Sequence, residues 1–327
     1  MESDVLTTET APLRDLIHNP ADIAAATAQW AEHILTTAGV PFGVACIDEK
    51  MNPMHPGDVA VICGRPGHGK TSLLATLARA EARRIVERKT VLTEAVFYIT
   101  WEQVAEEINL LLDANNSFTG SDIMRGTVTM DQIHAQARKR VLLPIWIIGD
   151  SISKSSTKTP RMFPDVIFDA IELAVDTYNV KPTLLLFDYI QIVPVRNVSE
   201  KIMQVSLAAE LVKELAKRIG CPAVIGAQAH RRVDDREYKV PQLQDAYWSS
   251  SIEQVTDKFF GIWRPWLTDK DKEPITIGTK SYPITEELFV LQMCKQRFGE
   301  AGMNWGLHFR PEHLRLCELE LQKERWQ

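Results

Sequence analysis

The sequence has few cysteines, no long apolar run and no surplus of positive charge. Its five cysteines stand singly, without a Cys-x-x-Cys pair, which argues against a disulfide framework or a zinc ribbon. They indicate free thiols in a reducing, cytoplasmic setting. No apolar run reaches about 18 residues, so no membrane contact through a spanning helix is expected. The N-terminal stretch is polar and acidic, unlike a secretory signal.

The charge balance is mildly acidic. There are 37 Lys and Arg residues against 43 Asp and Glu, which leaves a formal net charge of −6 at pH 7. This excludes a strongly basic protein of the kind that coats nucleic acid, although a local groove can still be positive. A length of 327 residues, with 45% hydrophobic and 24% charged residues, fits one large globular domain.

Two regions can be distinguished along the chain. Residues 1–45 are expected to be an N-terminal arm with a short helix at about Asp22–Leu35. That helix either packs on its own domain or docks on a neighbouring subunit. Residues 46–327 alternate β-rich and helical stretches, which predicts an α/β fold with a mostly parallel sheet flanked by helices. After Lys258 the strands follow one another directly, so antiparallel strands are expected at the C-terminal edge.

A Gly-rich loop between a predicted strand and a predicted helix matches G-x-x-x-x-G-K-[ST]. Such a loop binds phosphate through inward-facing backbone N–H groups, and the helix N-terminus adds partial positive charge. Its lysine would reach the β- and γ-phosphates of a nucleotide, and its hydroxyl would bind Mg²⁺. The candidate nucleotide-binding residues are Gly64, Arg65, Pro66, Gly67, His68, Gly69, Lys70 and Thr71, with Ser72 directly after them.

Two carboxylates are candidates for the other parts of an NTPase site. Asp188 ends the apolar run LLLF and could bind Mg²⁺ or its water, or merely cap the strand. Glu102 follows the strand FYIT and Trp101, and it could orient the attacking water. Glu106 and Glu107 follow on a predicted solvent-facing helix, which weakens the assignment of Glu102 taken alone.

Several further motifs resemble the C-terminal motor domain of DnaB-type replicative helicases, a group with the RecA fold. They are DYIQ at 188–191, SIEQ at 251–254 and KQR at 295–297, and the resemblance spans about residues 39–310. It implies ATP and Mg²⁺ as cofactors, Glu102 as catalytic base and Asp188 as the Walker B acid. It also implies that Gln228 senses the γ-phosphate, and that Lys295 and Arg297 project into the next subunit's site, with Arg297 as the arginine finger. The alternative for this pair is a set of solvent-facing edge charges.

The chain departs from the family in two places. The family's globular N-terminal domain has no counterpart ahead of the core, so a protein partner could act in its place. The family's Arg-Glu-Ser-Gly stretch before SIEQ reads Tyr247-Trp248-Ser249-Ser250 here, and these aromatics could stack on bases or pack in a protein interface. The preceding loop lines the family's channel, and its candidate nucleic-acid contacts, which could equally be a solvated charged loop, are Arg231, Arg232, Arg236 and Lys239.

Together these features predict an ATP-hydrolysing motor related to hexameric helicases. It would act as a homo-oligomeric, hexameric ring on single-stranded DNA, with hydrolysis at subunit interfaces. The alternative is an ATP-dependent assembly or switch protein that recruits partners without unwinding.

Overall fold

In a computed structural model, residues 17–112, 118–153, 160–247, 250–310 and 315–318 are described. The chain divides into two compact units, Met1–Gly39 and Val40–Gln327. The first contains helix α1 (Pro20–Thr36), which begins where the Asn19 side chain accepts hydrogen bonds from the backbone N–H groups of Ala21 and Asp22. Every residue of α1 is at least partly exposed to solvent.

The second unit is built on a nine-stranded sheet with the order β11-β10-β9-β6-β1-β5-β4-β2-β3. A separate two-stranded sheet pairs β7 with β8. The strands are β1 (Val59–Gly64), β2 (Glu94–Thr100), β3 (Ile145–Ile148), β4 (Lys181–Asp188), β5 (Ala223–Gln228), β6 (Lys258–Trp263), β7 (Ile275–Ile277), β8 (Lys280–Tyr282), β9 (Leu288–Gln296), β10 (Met303–Arg310) and β11 (Arg315–Glu318).

Helices precede β1, connect the parallel strands and follow β6. They are α2 (Ala45–Asp48), α3 (Lys70–Arg88), α4 (Ala105–Leu111), α5 (Gly120–Met124), α6 (Met130–Arg140), α7 (Pro164–Tyr178), α8 (Lys201–Ile219), α9 (Ser250–Val255) and α10 (Trp266–Asp269). Among the described residues, no helix is both long and apolar enough to cross a lipid bilayer.

The parallel strands are apolar along their whole length because both faces of the sheet are covered. In β1 the side chains of Val59, Val61 and Cys63 join one core cluster, while Ala60 and Ile62 join the cluster on the opposite face. Burying each large aliphatic side chain contributes about 1.5–3 kcal/mol, so both faces stabilise the same strand. This explains why the strand shows no alternation of apolar and polar residues.

The predicted α/β class, with antiparallel strands at the C-terminal edge, is confirmed. β1 pairs in parallel with β5 and β6, and β4 pairs in parallel with β2 and β5. β9 runs antiparallel to both β6 and β10, and β10 runs antiparallel to β11. The last strands therefore extend the sheet as a meander.

The register brings four strand ends to one edge of the sheet. Gly64 at the end of β1 pairs with Gln228 of β5, and Thr100 of β2 pairs with Asp188 of β4. The strand that contains Lys295 runs the other way, so its end lies at the opposite, amino-terminal edge. The sheet thus separates the candidate residues into two groups.

Gly261 of β6 allows the segment after β5 to pack closely on the sheet. A Cβ atom at this position would lie 2.1 Å from the backbone oxygen of Pro241 and 2.7 Å from a side-chain carbon of Val240. Such distances require the backbone to shift. Only glycine fits here without displacing the segment that leads to the candidate nucleic-acid residues.

We therefore predict that Gly261→Ala lowers the free energy of unfolding by about 1–3 kcal/mol, because overpacking displaces backbone rather than a flexible side chain. Urea unfolding followed by circular dichroism measures the change. Gly120→Ala is the matched control, since its Cβ would make an ordinary 3.5 Å contact with Leu110. Equal stability of the two variants would contradict the prediction.

Candidate functional site

The phosphate loop lies between β1 and α3, as the sequence predicts. Gly67 and Gly69 have φ values of +77° and +97°, which side chains other than glycine rarely adopt. Gly64 faces Ile262, where a Cβ atom would lie 2.5 Å from a side-chain carbon. The glycines are therefore required by the backbone and by packing, and they leave the inside of the loop open for a phosphate group.

Lys70 points into this loop. Its Nζ donates to the backbone oxygens of Gly64 at 3.1 Å and Arg65 at 3.3 Å. Burial lowers the pKa of Lys70, while the nearby charges of groups such as Asp188 and Glu102 raise it. A phosphate placed inside the loop would offer this ammonium group a charged acceptor in place of two neutral ones.

The hydroxyl of Thr71 and the carboxylate of Asp188 are joined directly. Thr71 Oγ1 donates to Asp188 Oδ2 at 2.8 Å, and the buried Tyr98 hydroxyl donates to the same oxygen at 2.9 Å. Asp188 Oδ1 is buried and accepts no hydrogen bond within the described part of the chain. Burial also raises the pKa of Asp188. A carboxylate oxygen left over beside a hydroxyl fits Mg²⁺ or one of its water ligands.

Glu102 and Gln228 face the same cavity as the phosphate loop. The cavity has a volume of about 300 Å³. Burial raises the pKa of the Glu102 carboxyl, and the neighbouring Asp188 charge raises it further. The residues lining the cavity are Pro66, Gly67, Gly69, Lys70, Thr71, Ser72, Glu102, Tyr189 and Gln228. Candidates from three separate stretches of sequence thus meet at one site.

Gln191 holds the end of β5 in place. Its Oε1 accepts from the backbone N–H of Gln228 at 3.0 Å, and its Nε2 donates to the Gln228 backbone oxygen at 3.4 Å. The same oxygen accepts from the backbone N–H of Tyr247 at 2.9 Å. The candidate γ-phosphate residue is therefore connected through its backbone to the candidate nucleic-acid segment.

A second connection runs from the phosphate loop itself. Arg65 Nε donates to both carboxylate oxygens of Asp234, at 3.1 and 3.0 Å, and Arg65 NH1 donates to the backbone oxygen of Ala229 at 3.3 Å. Asp234 lies in the short 3₁₀ helix Arg231–Asp235. Arg65 thus holds the loop that carries Arg231 and Arg232 against the nucleotide site.

The four basic nucleic-acid candidates have different surroundings. Arg231 and Arg232 are exposed. Arg236 forms two hydrogen bonds with the buried carboxylate of Asp245, at 2.6 and 2.5 Å. The Lys239 side chain is only 9% exposed and is paired with Asp269 at 2.6 Å. Burial in an ion pair does not fit the expected role of Lys239 as a nucleic-acid contact, so Lys239 is not part of the surface proposed below.

Of the two aromatic candidates, Tyr247 lies within the described residues. The Tyr247 ring is stacked on the imidazole of His230, with centroids 5.1 Å apart and an angle of 21° between the planes. Trp248 lies outside the described residues. The stacking by Tyr247 is therefore made, in this structure, with a side chain from the same loop.

Lys295 and Arg297 lie at the amino-terminal edge of the sheet. A spacing of two residues would place Lys295 and Arg297 on one face of a strand. Strand β9 ends at Gln296, however, so Arg297 begins the following turn and does not share a strand face with Lys295. Lys295 Nζ donates to the backbone oxygen of Glu253 at 2.8 Å. Arg297 NH1 donates to Asp257 Oδ1 at 3.2 Å, and 62% of the Arg297 side chain is exposed.

Asp257 is one of four polar residues that the sequence interpretation missed. Its Oδ2 accepts from the backbone N–H of Val59 at 2.8 Å and from Lys213, so it fixes Arg297 to the start of β1. The other three, described above, are Tyr98, Gln191 and Asp234. Two of the four had a local signal: Tyr98 lies inside the apolar strand VFYIT, and Gln191 ends the DYIQ motif.

Comparisons with known proteins agree with this geometry. A family model described as DnaB-like helicase C terminal domain matches residues 39–318. The chain is 26% identical over 245 residues to the replicative DNA helicase DnaB of Mycoplasma genitalium, covering 73% of this chain and 48% of that protein. It is 29% identical over 249 residues to the DnaB of Mycoplasma pneumoniae, covering 73% and 49%. The chain thus spans about half the length of the curated relatives it matches.

Solved structures share the fold. One of them, described as an ATPase domain, superposes with a TM-score of 0.73 at 19% identity, covering 92% of this chain and all of that one. A DnaB-like replicative helicase, described together with its interactions with primase, gives a TM-score of 0.70 at 19% identity, covering 90% and 66%. The expected resemblance is confirmed, and with it the RecA-like form of the sheet.

His68, inside the phosphate loop, is buried and neutral. Its Nδ1 accepts from the backbone N–H of Arg264 at 3.1 Å, which ties the loop to the end of β6. Burial lowers the pKa of His68 to about 4 from its ordinary value of 6.5, and the charges of Lys70, Arg264 and Arg65 act in the same direction, against Asp234. A folded-state pKa below the unfolded value means that unfolding takes up a proton between these two pH values.

His68 therefore stabilises the fold fully above about pH 6.5, and its contribution is lost as the pH falls toward 4. We predict that between pH 7.5 and 5.5 this single group removes about 1 kcal/mol from the free energy of unfolding. His68→Asn keeps an acceptor for the Arg264 N–H and should flatten the dependence by that amount in urea titrations. His134→Asn, at an exposed helix position, is the control. An unaltered pH dependence in His68→Asn would contradict a buried neutral imidazole.

Proposed function

The chain belongs to the family of DnaB-like helicase C-terminal domains, and from this premise we propose that it is an ATP-hydrolysing motor that works at subunit interfaces on single-stranded DNA. The observation that carries the proposal is the cavity in which Lys70, Thr71, Glu102 and Gln228 meet. The buried Asp188 beside Thr71 completes the set of groups that a phosphoryl-transfer site needs.

Each residue has a task in the proposed reaction. The loop N–H groups and Lys70 bind the phosphates, and Thr71 with Asp188 would hold Mg²⁺ or its water. Magnesium bound with the nucleotide supplies positive charge against the negative charge that develops on the transferred phosphoryl group. Glu102 orients and deprotonates the attacking water, and its raised pKa brings it nearer to neutral pH. Gln228 contacts the γ-phosphate.

The position of Arg297 supports action on a second subunit. Its backbone N–H donates to the Asp257 oxygen, and the Asp257 N–H donates to the oxygen of Val59, the first residue of β1. The phosphate loop begins at the other end of β1, about 17 Å away at the usual rise per residue. That distance exceeds the reach of an arginine side chain. A role of Arg297 in catalysis therefore requires a neighbouring chain, and a closed homo-oligomeric ring, hexameric as in the sequence expectation, supplies one at every site.

Coupling to nucleic acid is supported by the two connections between the sites. The Gln228 backbone holds Tyr247, and Arg65 holds Asp234 in the loop that bears Arg231 and Arg232. A change at the γ-phosphate would thus be transmitted to exposed cations through hydrogen bonds. We propose that Arg231, Arg232 and Tyr247 contact the strand, with Arg236 contributing only where its pairing with Asp245 leaves it accessible.

Helix α1 is proposed to dock on a neighbouring subunit. Its side chains Ile23 and Leu35 are 47% and 85% exposed, and no residue of this described helix is buried. An amphipathic helix of 17 residues gains most of its stability from packing its apolar face.

An assembly or switch protein is the second candidate. It is favoured by one observation: only Arg231 and Arg232, of the four basic candidates, have exposed side chains without a carboxylate partner in the described part of the chain. A surface with so little positive charge could serve protein partners instead of DNA. Both functions retain ATP turnover.

Catalysis across the interface predicts complementation between two inactive variants. Lys70→Ala should abolish turnover, and Arg297→Ala should lower it about 10³-fold or more while nucleotide binding persists. In a 1:1 mixture that forms random rings, about a quarter of the interfaces place the intact loop of an Arg297→Ala chain against the intact arginine of a Lys70→Ala chain. Activity should therefore reappear on mixing, as measured by phosphate release. A normal rate in Arg297→Ala, or no recovery on mixing, would remove the trans role.

Nucleic-acid coupling predicts that a single-stranded oligonucleotide raises the ATPase rate and binds in a salt-dependent manner. Replacing both Arg231 and Arg232 by Ala should reduce the slope of log affinity against log salt by about 1.4, because two phosphate contacts on a single strand are lost. Fluorescence anisotropy measures this, with Arg83→Ala, an exposed arginine on α3, as the control. No stimulation together with no binding at low salt would overturn the proposed action on DNA and leave the assembly or switch function as the candidate.

A further inference from the structure

The turn after β9 exposes an aromatic side chain in an unfavourable backbone conformation. Phe298 has a φ value of +60°, and 79% of its surface is exposed. A left-handed backbone conformation is rare for bulky residues because their side chains clash with the backbone. Glycine and asparagine adopt it more readily. An exposed phenylalanine is also disfavoured by water. Two unfavourable features at one residue suggest that it is retained for a contact.

Neighbouring side chains hold the turn in this form. Gln296 Oε1 accepts from the backbone N–H of Asn52 at 2.8 Å, and Gln296 Nε2 donates to the Glu300 oxygen at 3.0 Å. Asn52 Nδ2 donates to the backbone oxygen of Phe298 at 3.0 Å. Hydrogen bonds on both sides of the residue thus hold the turn in which Phe298 has its left-handed conformation.

Phe298 and Arg297 form one projecting unit. The guanidinium carbon of Arg297 lies 5.2 Å from the centroid of the Phe298 ring. The backbone N–H of Arg297 donates to Asp257 at 2.8 Å, and its NH1 donates to the same residue's carboxylate at 3.2 Å. Asp257 is in turn fixed by Val59 and Lys213. The unit is therefore anchored to the sheet while the ring and the guanidinium face outward.

We propose that the Phe298 ring packs against a second copy of this chain, beside the nucleotide site that Arg297 enters, and so holds the guanidinium in place. This rests on the proposed trans role of Arg297. Consecutive Cα atoms are about 3.8 Å apart, so a surface that receives Arg297 must also meet residue 298. The second copy is favoured over nucleic acid because the ring lies at the amino-terminal edge, whereas the proposed DNA loop follows the carboxyl end of β5.

Phe298→Asn separates a contact role from a structural one. Asparagine tolerates φ near +60°, so the folded chain should be as stable as the wild type or more stable. Loss of the ring should nevertheless raise the concentration for half-assembly about ten- to a hundredfold, the range expected for an aromatic side chain that is no longer buried. Sedimentation velocity over a dilution series, with Mg²⁺ and a non-hydrolysable ATP analogue, measures assembly, and urea unfolding of the same samples measures stability.

Phe298→Tyr is the matched control, since it keeps a ring on the same strained backbone and should assemble like the wild type. Phe298→Gly relieves the strain completely and should weaken assembly as Phe298→Asn does. If both variants are unstable, the ring is needed within the chain and the proposal is overturned. A raised KM for ATP with unchanged assembly would also overturn it, because the ring would then contact nucleotide.

The outcomes distinguish this proposal from the one on which it rests. If Phe298→Asn assembles like the wild type while Arg297→Ala is inactive, the Phe298 contact is ruled out and the trans role of Arg297 is retained. If the wild-type chain never assembles, both the proposed ring of subunits and the proposed Phe298 contact are ruled out. Reduced assembly in Phe298→Asn at retained stability is the expected result, with turnover below that of the wild type even at high protein concentration, because the Arg297 guanidinium is then held less firmly.

Discussion

The parallel register of β1, β5 and β4 is the constraint on which the site depends. It sets Gly64 beside Gln228 and lets Asp188, at the end of β4, accept from Thr71 of the helix that follows β1. Both faces of these strands are buried, so a slip in register would move side chains between the two core clusters. The packing energy of the whole sheet therefore fixes the distances within the nucleotide site.

The same sheet explains why one chain cannot complete the proposed reaction. Parallel strands have their phosphate-binding ends at one edge, and the antiparallel β9 brings its own end to the other. Asp257 then ties Arg297 to the first residue of β1, while the phosphate loop follows the last. A chain built in this way carries the phosphate loop at one edge of the sheet and Arg297 at the other. Joining such chains head to tail would bring Arg297 of one chain to the phosphate loop of the next. In a closed ring, every phosphate loop would then have an arginine from a neighbouring chain.

The parts of the site that are local in sequence could be predicted, and those that depend on distant pairs could not. The phosphate loop is eight contiguous residues, and Asp188 is marked by the apolar strand before it. Arg65 pairs with Asp234 169 positions away, and Tyr98 with Asp188 90 positions away, so no spacing rule reveals either contact. The fold class followed from the alternation of β-rich and helical stretches for the same reason, because each element has its own local pattern. The distant pairs became visible only with the register of the sheet.

Contacts between distant residues also reduce the positive charge that the loop after β5 exposes. The sequence has four arginines and lysines there, but Asp245 engages Arg236 and Asp269 engages Lys239, so two of the four charges stabilise the fold. Asp234, in the same turn as Arg231 and Arg232, is engaged by Arg65. The positive charge left on the exposed loop is therefore small and concentrated at two adjacent residues. A strand held by so few cations would bind weakly in the absence of nucleotide. Arg65 and Gln228 belong to the proposed nucleotide site, so a change there on nucleotide binding would alter the proposed contact with the strand.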